Sequence, residues 1–268
     1  MSIDSTAIIE SEVELAEDVE VGAYSVLRGK IKIGKGTVIK DHVTIYGPIT
    51  FGENNTIHPG AVLGNVSQDL KYKGEAAEVV IGDNNSIREY VTIQKGTADG
   101  GAQTIIGNNN LLMGYVHIAH DCRIGNNVII ANTTSLAGHV IIDNYAYIGG
   151  LSGIHQFVTI GESCFVGFMS RINKDVPPYS IVEGNPARPR TINSVGLTRR
   201  NFHPDDIALI KKAFVTLYVS KVTRAEKLQT LQADEFKNNE FVQNLLAFDL
   251  ASAKAKSGRA LEELRDKG

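Results

Sequence analysis

Four of the seven histidines fall between positions 117 and 155, at His117, His120, His139 and His155. Asp121 follows His120 directly. A carboxylate beside an imidazole can fix its tautomer and tune its proton affinity, which suits a general base near neutral pH. No serine or cysteine beside this group reads as a nucleophile. Direct attack by an acceptor that the imidazole deprotonates therefore fits better than a covalent intermediate. The His117-x-x-His120 spacing also has the form of a metal-ligand pair.

Whether these residues meet depends on the elements that carry them. Large apolar residues recur every six positions: Ile3, Ile9, Leu15, Val21, Leu27, Ile33, Ile39, Ile45, Phe51, Ile57, then Ile81, Ile87, Ile93. The series restarts one residue out of phase at Ile106 and continues through Ile172, so that 25 hexads open on a large apolar residue. A period of six fits neither an α-helix nor simple strand alternation. It fits a short strand and a sharp turn, with the large side chain inward, a small one at the fifth position, and Gly or Asn supplying the turn's unusual dihedrals. Glycines at the second position (Gly22, Gly34, Gly107, Gly125) and the Asn54-Asn55, Asn84-Asn85 and Asn109-Asn110 pairs match that reading. Three hexads close one triangular coil, and coils stack in parallel at ~4.8 Å. Stacking buries aliphatic ladders that no single repeat could bury.

A coil of three hexads makes the histidine positions calculable. Gly138 stacks on His120 and Gln156 on Gly138, while His139 stacks on Asp121 and His155 shares a column with Ala119 and Ala137. The three turns span two coil steps, roughly 10 Å. Gly138 then offers a backbone N–H beside the base, where it could steady an oxyanion. His117 stands at a sixth position and His120 at a third, and the column above them supplies Gly and Gln, so no metal site is expected.

Two segments leave the repeat, 65–80 and 99–105, and insertions in a solenoid become loops on one face. Cys122 and Cys164 both take fifth positions on different sides of the prism and read as small buried residues. The repeat is expected to stop at Asp175-Val176-Pro177-Pro178-Tyr179, where two prolines remove ladder donors. Beyond it Ile207, Ile210, Phe214 and Leu217 follow helical spacing, Thr223-Arg224-Ala225-Glu226 reads as a capping box, and Phe241, Leu245, Phe248 and Leu261, Leu264 mark further helices. The expected organisation is an all-β left-handed parallel β-helix over 1–189 and a small α-helical domain over 190–268.

Lys and Arg number 27 against 30 Asp and Glu, a net charge of −3, which is unlike a nucleic-acid binder. Residues 186–227 run the other way, with nine basic and three acidic side chains, and suit a strongly acidic partner or a diphosphate. The N-terminus lacks the basic and apolar regions of a signal peptide, and no apolar run is long enough to span a membrane. A cytoplasmic location follows as the expectation.

The strings NVSQDLKYKGE (65–75), IRE-VTI-KGT (87–97), NLLMGYVHIAHDC (110–122), LAGHV (136–140), HQF (155–157), DVPPY (175–179) and GLTRRNF (196–202) occur in this order. Together they resemble the UDP-N-acetylglucosamine acyltransferases, which carry out the first committed step of lipid A synthesis in Gram-negative bacteria. The resemblance covers nearly the whole chain. It implies that His120 is the general base that deprotonates the sugar 3-hydroxyl for attack on an acyl thioester, that Asp121 orients it, and that Gly138 supplies the oxyanion hole. It implies sugar and 3-hydroxyacyl contacts at Asp69 and Lys71, further substrate contacts at His117, His139, His155 and Gln156, and nucleotide and phosphate contacts at Asn193, Arg199 and Arg200. The donor would be acyl carrier protein, whose phosphopantetheine arm carries the acyl chain, and no separate cofactor is implied. The family works as a homotrimer with sites between prisms. The chain departs from the pattern at Val195, where some members are acidic, and at Phe165 and Phe168, where members that accept long chains often have smaller groups. Phe168 is expected to shorten the accepted chain if it lines the acyl groove. The residues leave N-acylation of the 3-amino sugar analogue open. A related N-acyltransferase that acts later in the same pathway usually carries an extra N-terminal domain, for which a repeat starting at Ile3 leaves no room. A coenzyme A-dependent acetyltransferase on the same scaffold would lack the QDLKY loop. An ice-binding solenoid would show threonine ladders.

Overall fold

The computed structural model describes residues 2–267. Residues 2–182 form a parallel β-solenoid of about ten turns. Each coil contributes one short strand to each of three faces, here A, B and C, of 11, 9 and 8 strands. Within the uninterrupted run the pairing steps by one coil: Leu112 pairs with Ile130 and Ile130 with Ile148 on face A, and Ile118 pairs with Leu136 and Leu136 with Ile154 on face B. The inward ladders form one apolar core from Val19 to Val182. The first coil has no coil beneath it, which leaves Ile3 43% exposed.

The corners differ from the expectation. The left-handed conformation falls on the fourth residue of the hexad, and most of those residues are neither Gly nor Asn: Tyr24, Tyr90, Tyr115, Asp121, His139, Phe157 and Met169 all have φ between 54° and 64°. That conformation costs an ordinary residue about 1–2 kcal/mol. Two contacts offset it. The fourth residue's N–H donates to the preceding coil, as from His139 to the His120 carbonyl at 3.1 Å. Its side chain stacks on the next, as Tyr90 does on Tyr115 with ring centroids 4.9 Å apart. Second-position glycines serve a different need. A Cβ on Gly34 would lie 2.4 Å from the Gly52 carbonyl oxygen of the next coil, so close approach rather than dihedral freedom selects Gly there. The second Asn of each pair turns inward, and Asn55, Asn85 and Asn110 form a buried ladder in which Asn85 N donates to Asn55 Oδ1 at 2.9 Å and Asn110 N to Asn85 Oδ1 at 2.9 Å.

The solenoid continues past the prolines. Ser180–Gly184 pairs in parallel with Phe165–Val166, and Ala187–Ile192 then returns antiparallel to it. Pro177 and Pro178 occupy a corner, where the ladder does not need their N–H groups. The first helix therefore begins beyond residue 190. The helices are α1 (Ser194–Arg199), α2 (Pro204–Phe214), α3 (Arg224–Thr230), α4 (Asp234–Lys237) and α5 (Glu240–Lys254). Leu217 falls in a π-helical turn, Val215–Val219, that extends α2. The capping box at Thr223 and Glu226 is present. These helices close a second core around Tyr179, Ile210, Phe214, Leu231 and Leu245. No helix among the described residues is long and apolar enough to cross a membrane.

Ile130 lies at mid-ladder and is fully buried. Ile130→Ala should cost about 2–5 kcal/mol of stability in urea unfolding. Exposed Lys35→Ala should stay within roughly 0.5 kcal/mol of the parent.

Candidate active site

The corner between faces B and C carries the histidine column. The strand His117–Ile118 ends there, Ala119-His120-Asp121-Cys122 makes the turn, and Arg123–Ile124 starts on face C. His120 Nδ1 lies 2.7 Å from Asp121 Oδ2. A Cβ on Gly138 would sit 2.4 Å from the His120 ring, so only glycine lets the imidazole lie against that backbone. His139 meets His120 edge-on at 5.1 Å and stacks on Phe157 at 4.5 Å, and its Nε2 is 3.8 Å from Asp121 Oδ2.

Both insertions end at this corner. The first brings Asp69, whose Oδ2 is 3.7 Å from His120 Nε2. Its turn is held by Lys71 N donating to Asp69 Oδ1 at 2.9 Å, while the Lys71 side chain is exposed. Just before the second insertion, Thr97 donates to both oxygens of Asp121, from N at 2.8 Å and from Oγ1 at 2.7 Å. The Asp121 N–H donates to Thr104 Oγ1 at 2.9 Å. Spacing alone assigns neither threonine to the site: Thr97 reads as an ordinary small residue at a fifth position, and Thr104 lies inside the segment that interrupts the repeat. The glycines of Lys95-Gly96-Thr97-Ala98-Asp99-Gly100 carried a usable signal: a Cβ on Gly100 would lie 1.9 Å from the Asp121 carboxyl carbon.

The electrostatics follow from these contacts. Burial acts to raise the Asp121 carboxyl, which is only 4% exposed, but hydrogen bonds from His120 and Thr97 and the nearby His139 together hold it below the usual carboxylate range. Burial, with His120 as a like-charged neighbour, pushes His139 below the ordinary imidazole value against the pull of Asp121. Burial and His120 also lower His117, whose Nδ1 is 2.7 Å from Thr92 Oγ1. His120, Asp121 and His139 bring ligand atoms within 4.8 Å of one another. The Asp121 oxygens already accept bonds from Thr97 and face His120 Nδ1, so the donor set is that of a hydrogen-bonded relay.

A groove of about 400 Å³ runs from this corner along face B, lined by His117, Ala119, Ser135, Ala137, His155 and Arg171 among others. His155 is exposed and its Nδ1 lies 3.0 Å from the half-buried Gln156's carbonyl oxygen. The other expected site residues lie elsewhere on this chain. Asn193 caps α1 and donates to the Ser163 carbonyl at 2.9 Å, at the corner between faces C and A. Arg200 pairs with Glu162 at 2.7 Å, bonds Ser163 Oγ and lies 3.7 Å over the Tyr145 ring, so it fastens the helices to the solenoid. Arg199 and Val195 are exposed on α1. Phe165 stacks on Tyr147 on face A, and Phe168 stands 63% exposed at the corner between A and B. Four of the nine basic residues in 186–227 form ion pairs: Arg190, Arg200, Lys212 and Arg224.

A carboxyl held low contributes stability above the ordinary carboxylate range and loses it as pH falls through the depressed value. Urea unfolding should therefore separate the parent from Asp121→Asn more widely at about pH 7 than at about pH 3. An equal separation at both would contradict the ionised relay.

Residues 175–258 match the family described as "Udp N-acetylglucosamine O-acyltransferase; Domain 2", and residues 103–138 match "Bacterial transferase hexapeptide (six repeats)". The chain is 45% identical over 248 residues to an acyl-[acyl-carrier-protein]--UDP-N-acetylglucosamine O-acyltransferase of Xanthomonas euvesicatoria, covering 92% of this chain and 94% of that protein. Among solved structures it resembles the Francisella novicida UDP-N-acetylglucosamine acyltransferase, with a TM-score of 0.90 at 36% identity over 96% of this chain and 92% of that one. LpxA from Acinetobacter baumannii superposes with a TM-score of 0.88 at 39% identity, covering 91% and 95%. The capped relay, the two insertions and the helical tail thus sit on a scaffold shared along nearly its whole length, and the chain belongs to the UDP-N-acetylglucosamine O-acyltransferase family.

Proposed function

We propose that the protein transfers a 3-hydroxyacyl chain from acyl carrier protein to the 3-hydroxyl of UDP-N-acetylglucosamine, the first step of lipid A biosynthesis, in the cytoplasm. The observation that carries the mechanism is His120 with Asp121 on Nδ1 at 2.7 Å and Asp69 beside Nε2 at 3.7 Å. With Nδ1–H donating to Asp121, Nε2 holds a free lone pair and takes the proton of the sugar hydroxyl. The alkoxide oxygen adds to the thioester carbonyl carbon. The oxyanion formed is held by the Gly138 N–H, for which no acceptor is found among the described residues. Collapse breaks the C–S bond, and the proton on Nε2 passes to the departing thiolate of the phosphopantetheine arm. Asp69, with Lys71 in the same loop, holds a sugar hydroxyl beside the base, and His117, His139, His155 and Gln156 contact substrate along the groove.

The working unit is a homotrimer. Asn193, Arg199 and Arg200 lie away from the His120 corner of their own chain, so nucleotide contacts from them are made to the site of a neighbouring copy. The exposed apolar edge of Tyr24, Tyr90, Tyr115, Leu151 and Met169 suits burial between copies. Arg188, Arg199, Lys211 and Lys221 have no acidic partner among the described residues, which leaves a cationic surface for an acidic carrier protein.

The test is acyl transfer by the purified protein from 3-hydroxyacyl carrier proteins of about ten to sixteen carbons, offered UDP-N-acetylglucosamine or its 3-amino analogue. Ester formation with UDP-N-acetylglucosamine is expected. Turnover with the amino sugar alone would replace the ester reading with an amide one, and turnover with neither would end both. Phe168→Gly should move the best donor to longer chains, and an unchanged donor preference would remove Phe168 from the acyl groove.

A further inference from the structure

Thr97 stands two residues before the second insertion, at the fifth position of the Ile93 hexad, and is the N-cap residue of a short 3₁₀ turn, Ala98–Gly100. A threonine there ordinarily turns its hydroxyl onto its own helix. This one does not: no side-chain capping bond is made, and Oγ1 instead donates to Asp121 Oδ2 at 2.7 Å. The backbone N–H of Thr97 donates to the other oxygen at 2.8 Å, and the side chain is 7% exposed. The turn is tied back through the Thr97 carbonyl, which accepts from Gly100 N at 3.1 Å and Ala102 N at 2.8 Å. Gly96 and Gly100 leave the space that lets the turn lie against the carboxylate, since a Cβ on either would come within 2.7 Å of an Asp121 oxygen. The turn that leads into the second insertion is thus shaped around one carboxylate that faces the His120 imidazole.

We infer that Thr97 is a positioning residue for transfer: it fixes the Asp121 carboxylate in the orientation that holds His120 Nδ1–H and aims Nε2 at the acceptor. This rests on the reading of His120 as general base. Without the hydroxyl, Oδ2 loses a donor in a buried site and the carboxylate is free to rotate away from Nδ1 or to take up a proton. The groups that bear on the charge of Asp121 are the two Thr97 donors and His120 and His139 from its own corner, while Asp69 and Asp99 act on His139. His120 and His139 each bring a ring nitrogen within 4 Å of an Asp121 oxygen.

The test compares Thr97→Val, close to isosteric but without the donor, with Thr97→Ser, which keeps it. In steady-state transfer, Thr97→Val should lower kcat roughly ten-fold, the worth of one hydrogen bond to a charged group. KM for the sugar nucleotide should stay within about two-fold, because the lost interaction positions the base rather than binding substrate. The acid limb of the kcat profile should move to higher pH, and Thr97→Ser should recover most of the rate. Gly100→Ala, whose Cβ would press on the carboxylate, should act in the same direction, with thermal unfolding checking that each variant is folded. Following the Asp121 carboxyl by carbon-13 NMR in the free protein reads the same contact without turnover, and its midpoint should rise in Thr97→Val. A folded Thr97→Val with parental kcat and an unmoved carboxyl would overturn the inference. So would equal losses in Thr97→Val and Thr97→Ser. A carboxyl that shifts while kcat holds would leave the contact but remove its role. If the parent transfers no acyl group, it is the general-base reading that fails, and the NMR result still reports on the contact.

Discussion

Everything in this molecule depends on coil register. Once three hexads close a turn and the next turn stacks in parallel, each residue lies over its counterpart one coil away, and the pairing of Leu112 with Ile130 with Ile148 repeats along the whole shaft. The inward positions become aliphatic ladders, and the stability of each coil is shared with its neighbours. The outward and corner positions become columns as well, at a spacing set by backbone hydrogen bonds rather than by side chains. A reactive group placed at a corner therefore inherits the rigidity of the shaft. His120, Gly138 and Gln156 are held in line by a ladder to which they contribute only backbone.

The polar contacts of this corner gather on Asp121. Burying an unpaired carboxylate costs several kcal/mol, and a hydrogen bond to a charged group returns about 1.5–3 kcal/mol. Asp121 receives two bonds from Thr97 and faces His120 Nδ1, enough to keep it ionised at 4% exposure. The same contacts leave it one direction in which to act, toward His120. The insertions explain themselves on this basis. The first carries Asp69 to the outer side of the imidazole, and the turn that leads into the second sets Thr97 on the inner side of its carboxylate.

Much of this was legible in the sequence, because a strict repeat turns spacing into position. The stacking of His120, Gly138 and Gln156 and of Asp121 with His139 follows from coil arithmetic, and the pairing and the His139–His120 backbone bond agree with it. What periodicity could not reach is what breaks it. Thr97 stands just before the second insertion and Thr104 within it, and their contacts depend on how that segment folds back. The preference for Gly or Asn at the corners was drawn from dihedral cost alone. It missed that stacked side chains such as Tyr90 and Tyr115 offset that cost. The prolines at 177 and 178 looked like a stop, but they fall at a corner, and the sheet gains two more strands. The basic segment was counted without its partners. Glu162, Glu183, Glu235 and Asp249 each take one of its charges, and only the folded chain brings them there.

The most direct measurement is the rate of acyl transfer to UDP-N-acetylglucosamine by His120→Ala, compared with the parent under the same conditions, with assembly and thermal unfolding checked on both. A general base contributes about 10²–10⁴-fold, so the account predicts a loss of that size in a protein that remains folded and assembled. A folded His120→Ala protein that keeps near-parental turnover would contradict the assignment of the corner between faces B and C as the catalytic centre.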